Sequence, residues 1–157
     1  MNNSMELKII EDDLTGNEIS ALLALHLHEM HQWSPACTAH AMPIERLREP
    51  DVTFYSAWDG AMLAGCGAIK HLDEGHGELK SMRAAPDYRG HGIGKAILLH
   101  LILVAQTRGY RRLSLETGRP EPFHPAQRLY EAHGFVECAP FGDYVSDDFS
   151  LCMTREL

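Results

Sequence analysis

Residues 88 to 95 read Tyr-Arg-Gly-His-Gly-Ile-Gly-Lys and set Gly90, Gly92 and Gly94 at the junction between an expected strand and a long apolar helix. The first amides of a helix have no partner inside it, and the helix dipole adds partial positive charge, so such a junction can hold a phosphate or diphosphate. Glycine lets the backbone come close to the anion. Arg83, Arg89 and Lys95 surround this turn in a chain of formal net charge −8, and a phosphorylated ligand would be a local reason for them. Two phosphate motifs are excluded by their residues. A Walker A loop needs Ser or Thr after Gly-Lys, and Ala96 follows Gly94-Lys95. A dinucleotide fingerprint starting at Gly90 needs glycine where Lys95 stands.

The elements that must position this turn follow from composition and periodicity. A chain of 157 residues with 45% hydrophobic content fits one domain spanning 1–157. The acidic balance argues against nonspecific nucleic-acid or anionic-membrane partners. The first residues lack a basic and apolar leader pattern, and the apolar run Ala96 to Ala105 is interrupted by His100 and is too short to span a bilayer, so a cytoplasmic location is expected. Cys37, Cys66, Cys138 and Cys152 form no C-x-x-C pair and read as reduced core thiols.

A strand is expected over 6–10, an amphipathic helix over 14–30 and a short helix opened by Pro43 and closed before Pro50. Strands follow at 52–58 and 62–69, joined at Asp59-Gly60, and a third at 78–84 after a turn at Gly75-His76-Gly77. A helix over 93–108 ends at Gly109 and leads to a strand at 112–117, which a helical crossover sets parallel to 78–84. A helix over 125–133 and strands at 135–138 and 149–154 complete the order β-α-α-β-β-β-α-β-α-β-β. This is an α/β (α+β) class with a mixed, strongly twisted sheet of about six or seven strands and helices on both faces.

Arg89-x-x-Gly92-x-Gly94, the preceding Met82-Arg83-Ala84, and Leu129-Tyr130-x-x-x-Gly134-Phe135 downstream together resemble the GNAT superfamily of acetyl-CoA-dependent N-acetyltransferases. Glu78 to Arg83 and Leu113 to Gly118 further resemble a bacterial subgroup whose members sometimes carry an indole-acetate acetyltransferase label. The resemblance implies acetyl-CoA as co-substrate, bound where strands 78–84 and 112–117 splay apart. Met82, Arg83 and Ala84 would meet the pantetheine, and Arg89, Gly90, His91, Gly92, Ile93, Gly94 and Lys95 the diphosphate. It also implies a β-bulge in the strand at 78–84 and a possible homodimer. Phe123 departs from the family pattern, which often has asparagine there.

Acetyl transfer to an amine needs a base for the ammonium proton. By the family's spacing the first candidate is Glu78, which by strand alternation could equally form a salt bridge with Lys80. Glu116 on the facing strand is the alternative, and Tyr130 matches the tyrosine that protonates the departing sulfur. The acceptor side, built in the family by the first helices and late strands, holds His26, His28, His31, Trp33, His40 and Tyr144. Of these, His28, His31, Trp33 and Tyr144, with Lys80, are expected to contact a small amine or an amino acid with an apolar part, on which Lys80 or Arg83 would pair with a carboxylate. His28 and His31 share a helix face, yet no ligand set completes a metal site, and no metal is expected. A peptide or protein amine, or a non-catalytic acyl-CoA sensor, remains open beside the small-molecule reading.

Overall fold

Alternating apolar residues and tight turns draw the chain into one seven-stranded sheet of order β1-β2-β3-β4-β5-β7-β6. The computed structural model describes residues 6–33, 43–142, 144 and 147–157, so Ser34-Pro35, Cys37 and His40 lie outside the described residues. The elements are β1 (Leu7–Glu11), α1 (Asn17–Trp33), α2 (Ile44–Leu47), β2 (Val52–Asp59), β3 (Met62–Asp73), β4 (His76–Ala84), α3 (Ile93–Thr107), β5 (Arg112–Gly118), α4 (His124–Ala132), β6 (Val136–Glu137) and β7 (Ser150–Glu156). Their order is the one read from the sequence.

Three boundaries moved for physical reasons. The first helix starts at Asn17, not at residue 14, because Asp12 and Asp13 accept hydrogen bonds from the amides of Leu14 and Thr15 and hold a turn there, with Leu14 at φ 66°. Gly77 is no turn residue: it lies within β4, and a Cβ there would meet the Tyr110 ring at 2.9 Å. The turn is confined to the residues before His76, so β3 runs on to Asp73 and pairs with β4 as far as His76.

Strand alternation sends Tyr55, Ala57, Ile69 and Leu79 to the face covered by α3, where Ile93, Ile97, Leu98 and Leu101 are fully buried. Phe54, Cys66 and Ala68 point to the other face, under Ile19, Leu22 and Leu23 of α1 and Leu47 of α2. Helices thus cover both faces, as a mixed sheet requires.

The feature that positions the site is in β4. Ala68 pairs with Lys80 but Cys66 with Arg83, so two residues, Ser81 and Met82, oppose Gly67 alone. This is a bulge, with Ser81 at φ 53°. On its other side β4 pairs in parallel with β5 only from His76↔Arg112 to Leu79↔Leu115. Beyond that point the strands part.

Close docking of α3 depends on Gly65 of β3, where a Cβ would lie 2.6 Å from the Arg83 carbonyl oxygen and 2.8 Å from Ile93. Backbone cannot yield there cheaply. Gly65→Ala is therefore expected to destabilise the fold by about 1–3 kcal/mol, read as a lower urea midpoint at unchanged slope. A midpoint equal to wild type would show that α3 is not seated on β3 as described.

Candidate functional site

Where β4 and β5 separate, a cavity of about 650 Å³ opens between them. On the α3 side it is lined by Gly90, Gly92, Ile93, Gly94, Lys95 and Tyr130, and along β4 by Lys80 to Ala84. On the α1 side it reaches His26, Met30, Trp33, Glu116 and Tyr144. It therefore passes through the sheet, joining the glycine turn to the carboxylate side.

At the turn, Gly90 and Gly92 sit at φ 79° and 78°, and a Cβ at either would meet nothing within 4 Å. Glycine is needed there for its left-handed backbone. The Arg89 and His91 amides already bond the carbonyls of Pro86 and Tyr88. The amides of Gly90, Gly92, Ile93, Gly94 and Lys95 have no backbone partner among the described residues, and the first intrahelical bond runs from Ala96 to the Gly92 carbonyl. The His91 ring is exposed, beside Tyr88 at 6.2 Å, and does not line the cavity.

Tyr130 is buried on α4, and its hydroxyl has only a weak contact with the Met82 sulfur, 4.0 Å away, among the described residues. Burial pushes its pKa up to about 12, so the phenol keeps its proton at neutral pH. A buried, protonated and weakly engaged hydroxyl is suited to donating to a developing anion.

On the α1 side, Glu78 is 2% exposed. Its Oε2 accepts a hydrogen bond from the Tyr144 hydroxyl at 2.5 Å and lies 3.2 Å from Lys80 Nζ. Lys80 Nζ in turn donates to the Tyr144 oxygen at 2.6 Å. Burial first, then the Glu78 charge and hydrogen bond, raise the Tyr144 phenol far above its usual range. Glu78 thus stands behind Lys80 and Tyr144, whereas Glu116 itself lines the cavity.

Arg83 and Glu29 form a second buried group. Glu29 Oε1 lies 2.5 Å from Arg83 Nη2 and 3.2 Å from Arg89 Nη2, with the Arg83 side chain 7% exposed. Burial pulls the Glu29 carboxyl up, but the hydrogen bonds and charges of the two arginines outweigh it and hold it below the usual range. Beside them, His26 Nδ1 is buried with no hydrogen-bond partner among the described residues. Such an orphan costs about 1–3 kcal/mol.

Of the residues expected on the acceptor side, Trp33, Lys80 and Tyr144 line the cavity, while His28 and His31 are exposed on the outer side of α1. The helix phase explains this. The buried stripe Leu22 and Leu23 continues through His26, Met30 and Trp33, and His28 and His31 fall off it. That stripe was readable in the sequence. Phe123 and Phe149 had no such signal: with Trp33 they form an aromatic wall of edge contacts at 5.7 and 5.4 Å. Cys66 and Cys152 are buried and Cys138 is half-buried; burial raises Cys66 to about 12 and Cys152 to about 11, which leaves no thiolate nucleophile among them at neutral pH. No group of three candidate metal ligands occurs among the described residues, and no described helix is long and apolar enough to cross a membrane.

Residues 19–135 match the model of the family described as Acetyltransferase (GNAT) family. The chain is 50% identical over 153 residues to the "Uncharacterized N-acetyltransferase YsnE" of Bacillus subtilis, covering 98% of this chain and 100% of that one. It is 49% identical over 152 residues to the "Uncharacterized N-acetyltransferase YedL" of Escherichia coli, covering 93% and 96%. An "IAA acetyltransferase" of Azospirillum brasilense is 36% identical over 124 residues, covering 78% and 80%. Among solved structures, one from Klebsiella pneumoniae assigned as an acyl-CoA N-acyltransferase superposes with a TM-score of 0.76 at 28% identity, covering 96% and 97%. A GNAT family acetyltransferase from Elizabethkingia anophelis, solved with acetyl-CoA bound, shares the fold with a TM-score of 0.73 at 18% identity, covering 99% and 100%.

The buried imidazole gives a stability test of this geometry. Burial first, then the Arg83 charge, push His26 down from 6.5 to about 4, against the opposing pull of Glu29. Between those values the unfolded chain binds a proton that the folded chain refuses. The loss that His26 contributes should therefore begin as pH drops below about 7 and level off below about 4, where Glu29, held below the usual carboxylate range, goes on costing stability. His26 should account for about 2 kcal/mol of loss by pH 5, and burial of His76 and His100 adds to the same slope. Urea unfolding at pH 7.5 and pH 5 should show a smaller loss in His26→Asn than in wild type; equal losses would mean that this imidazole is not buried neutral.

Proposed function

The chain belongs to the GNAT family of acyl-CoA-dependent N-acetyltransferases, and we propose that it moves an acetyl group from acetyl-CoA to the primary amine of a small molecule by direct attack. The observation that carries this reading is the parting of β4 from β5 after Leu79 and Leu115, which leaves one cavity between the glycine turn and the half-buried carboxylate of Glu116. The residues present fit the co-substrate. Gly90, Gly92 and the first-turn amides of α3 would hold its diphosphate, with Arg89 and Lys95 nearby. The edge of β4 at Met82, Arg83 and Ala84, past its last β5 partner, offers main-chain groups to the pantetheine amides.

The thioester supplies the activated acetyl carbon. Glu116 takes a proton from the acceptor ammonium, the freed lone pair forms the new N–C bond as the C–S bond breaks, and the second proton of the attacking nitrogen is then given up to restore the phenol that protonates the sulfur. Tyr130 donates to the departing sulfur. We assign the base to Glu116 rather than to the first candidate, Glu78, because Glu116 lines the cavity while Glu78 is capped by Tyr144 and Lys80. Glu78 holds those two side chains in place and so shapes the acceptor end. No covalent enzyme intermediate is needed, since positioning and a proton acceptor suffice for direct attack.

Release of CoA thiol with an amine panel tests the assignment. Glu116→Gln is expected to lower kcat/KM by about 10²–10⁴-fold with little change in acetyl-CoA affinity, and Tyr130→Phe to lower kcat with KM for acetyl-CoA preserved. Wild-type turnover by Glu116→Gln, with loss in Glu78→Gln, would return the base to Glu78. Acetyl-CoA binding with no turnover of any amine would refute the enzyme reading.

A further inference from the structure

Two residues beyond Glu116 on β5, and on the same face of the strand, lies Gly118. A Cβ there would meet atoms of the Phe123 ring at 2.6, 2.7 and 2.9 Å. Because position 118 has no side chain, that ring lies directly on the strand, about 7 Å from the Glu116 position by the rise of two strand residues. Trp33, at the end of α1, stands edge-on to Phe123 with ring centroids 5.7 Å apart and an interplanar angle of 85°, and Phe149 does the same at 5.4 Å. All three rings line the cavity that Glu116 lines. None is sealed off from it: Phe123 and Phe149 keep 7% and 8% of their surface exposed, and Trp33 is half-buried. Met30, about one turn before Trp33, extends the apolar lining. Three segments distant in the chain therefore set a wall of aromatic rings beside the carboxylate.

Resting on the N-acetyltransferase reading above, with Glu116 as its base, we infer that the acceptor is an arylalkylamine, whose nitrogen meets Glu116 while its aromatic ring packs on Phe123, Trp33 and Phe149. Aromatic rings favour edge-to-face and offset-stacked pairs, so a fourth ring continues the arrangement that these three already make. A saturated ring fills the same space without that preference. The interval along β5 sets the length of the acceptor: a nitrogen at the Glu116 carboxylate and a ring at the wall, about 7 Å apart along the strand, are joined by a short alkyl linker. Phe123 is then a specificity-determining residue, seated by Gly118. It selects the acceptor and takes no part in bond making.

The test measures steady-state acetylation of 2-phenylethylamine, 2-cyclohexylethylamine and propylamine, as kcat/KM corrected for the free-base fraction of each amine. In wild type the aromatic amine should exceed propylamine by about 10–100-fold, the range for burying a ring, and the saturated ring by about 2–10-fold, the range of an aromatic pair. Phe123→Leu keeps an apolar side chain without the ring, and it should abolish the second ratio with KM for acetyl-CoA unchanged. Trp33→Leu, at a more exposed ring, should lower the same ratio and serves as the test if the first variant does not fold. Equal values for the aromatic and saturated amines in wild type would overturn the inference, as would propylamine or a peptide lysine turned over as well as 2-phenylethylamine. So would an unchanged ratio in either variant that folds, or an effect of Phe123→Leu confined to KM for acetyl-CoA, since the wall would then serve the co-substrate. Turnover of amines with no preference for an aromatic ring sinks this inference alone, and absence of all turnover sinks both.

Discussion

The parallel ladder between β4 and β5 stops after four residue pairs, and the rest of the site depends on that stop. Two paired strands leave no room between them, because their main-chain groups satisfy each other. Once the strands part, β4 has main-chain groups facing open space, and the helix following it begins beside the gap. An acyl carrier with amides along its length and phosphates at its end matches both features. The cavity is a product of sheet topology more than of any single side chain.

The bulge at Ser81 and Met82 decides which side chains meet there. Without it, strict alternation would put Met82 on the face of Glu78 and Lys80 and send Arg83 to the opposite face. With the extra residue, Arg83 pairs across from Cys66 and lies under α1 with Glu29, while Met82 turns toward α3 and the Tyr130 hydroxyl. The extra residue at positive φ thus sets Arg83 on the face of Glu78 and Lys80 and leaves Met82 beside Tyr130 on the other. A non-glycine residue in that region carries strain. The close seating of α3 on Gly65 is one of the contacts that hold the strand in this shape.

Much of this was legible in the sequence, for identifiable reasons. The glycine turn could be read because a left-handed helix entry depends on backbone conformation, which glycine spacing reports directly. Element order could be read because apolar period and turn residues agree along the chain. The side chains nearest the acceptor were harder. Alternation cannot locate a bulge's phase, and the choice among His26, His28 and His31 turns on 100° of helix rotation, which the Leu22 and Leu23 stripe records but a count of histidines does not. Gly77 misled because a glycine demanded by a neighbouring ring looks, in sequence, like one demanded by a turn. Phe123 stands where the resembling family often has a polar residue, and its place in an aromatic wall depends on Trp33 and Phe149, far away in the chain.

Charge shows how far the site departs from its surroundings. The chain has 22 acidic and 14 basic residues, yet the described residues lining the cavity include Lys80, Arg83, Arg89 and Lys95 and a single acid, Glu116. Desolvation makes each buried charge costly unless it is paired, so an excess of cations at a cleft persists only where something offsets it. Glu29 offsets part of it, and because it contacts both Arg83 on β4 and Arg89 in the glycine turn, it ties α1 to that turn through one carboxylate. The remaining positive charge lies on both sides of the sheet, Lys95 and Arg89 beside the glycine turn and Arg83 under α1. An anionic ligand at the turn would complete the neutralisation on that side. The acid left lining the cavity, Glu116, faces this excess of cations from β5, which offsets a further part of it.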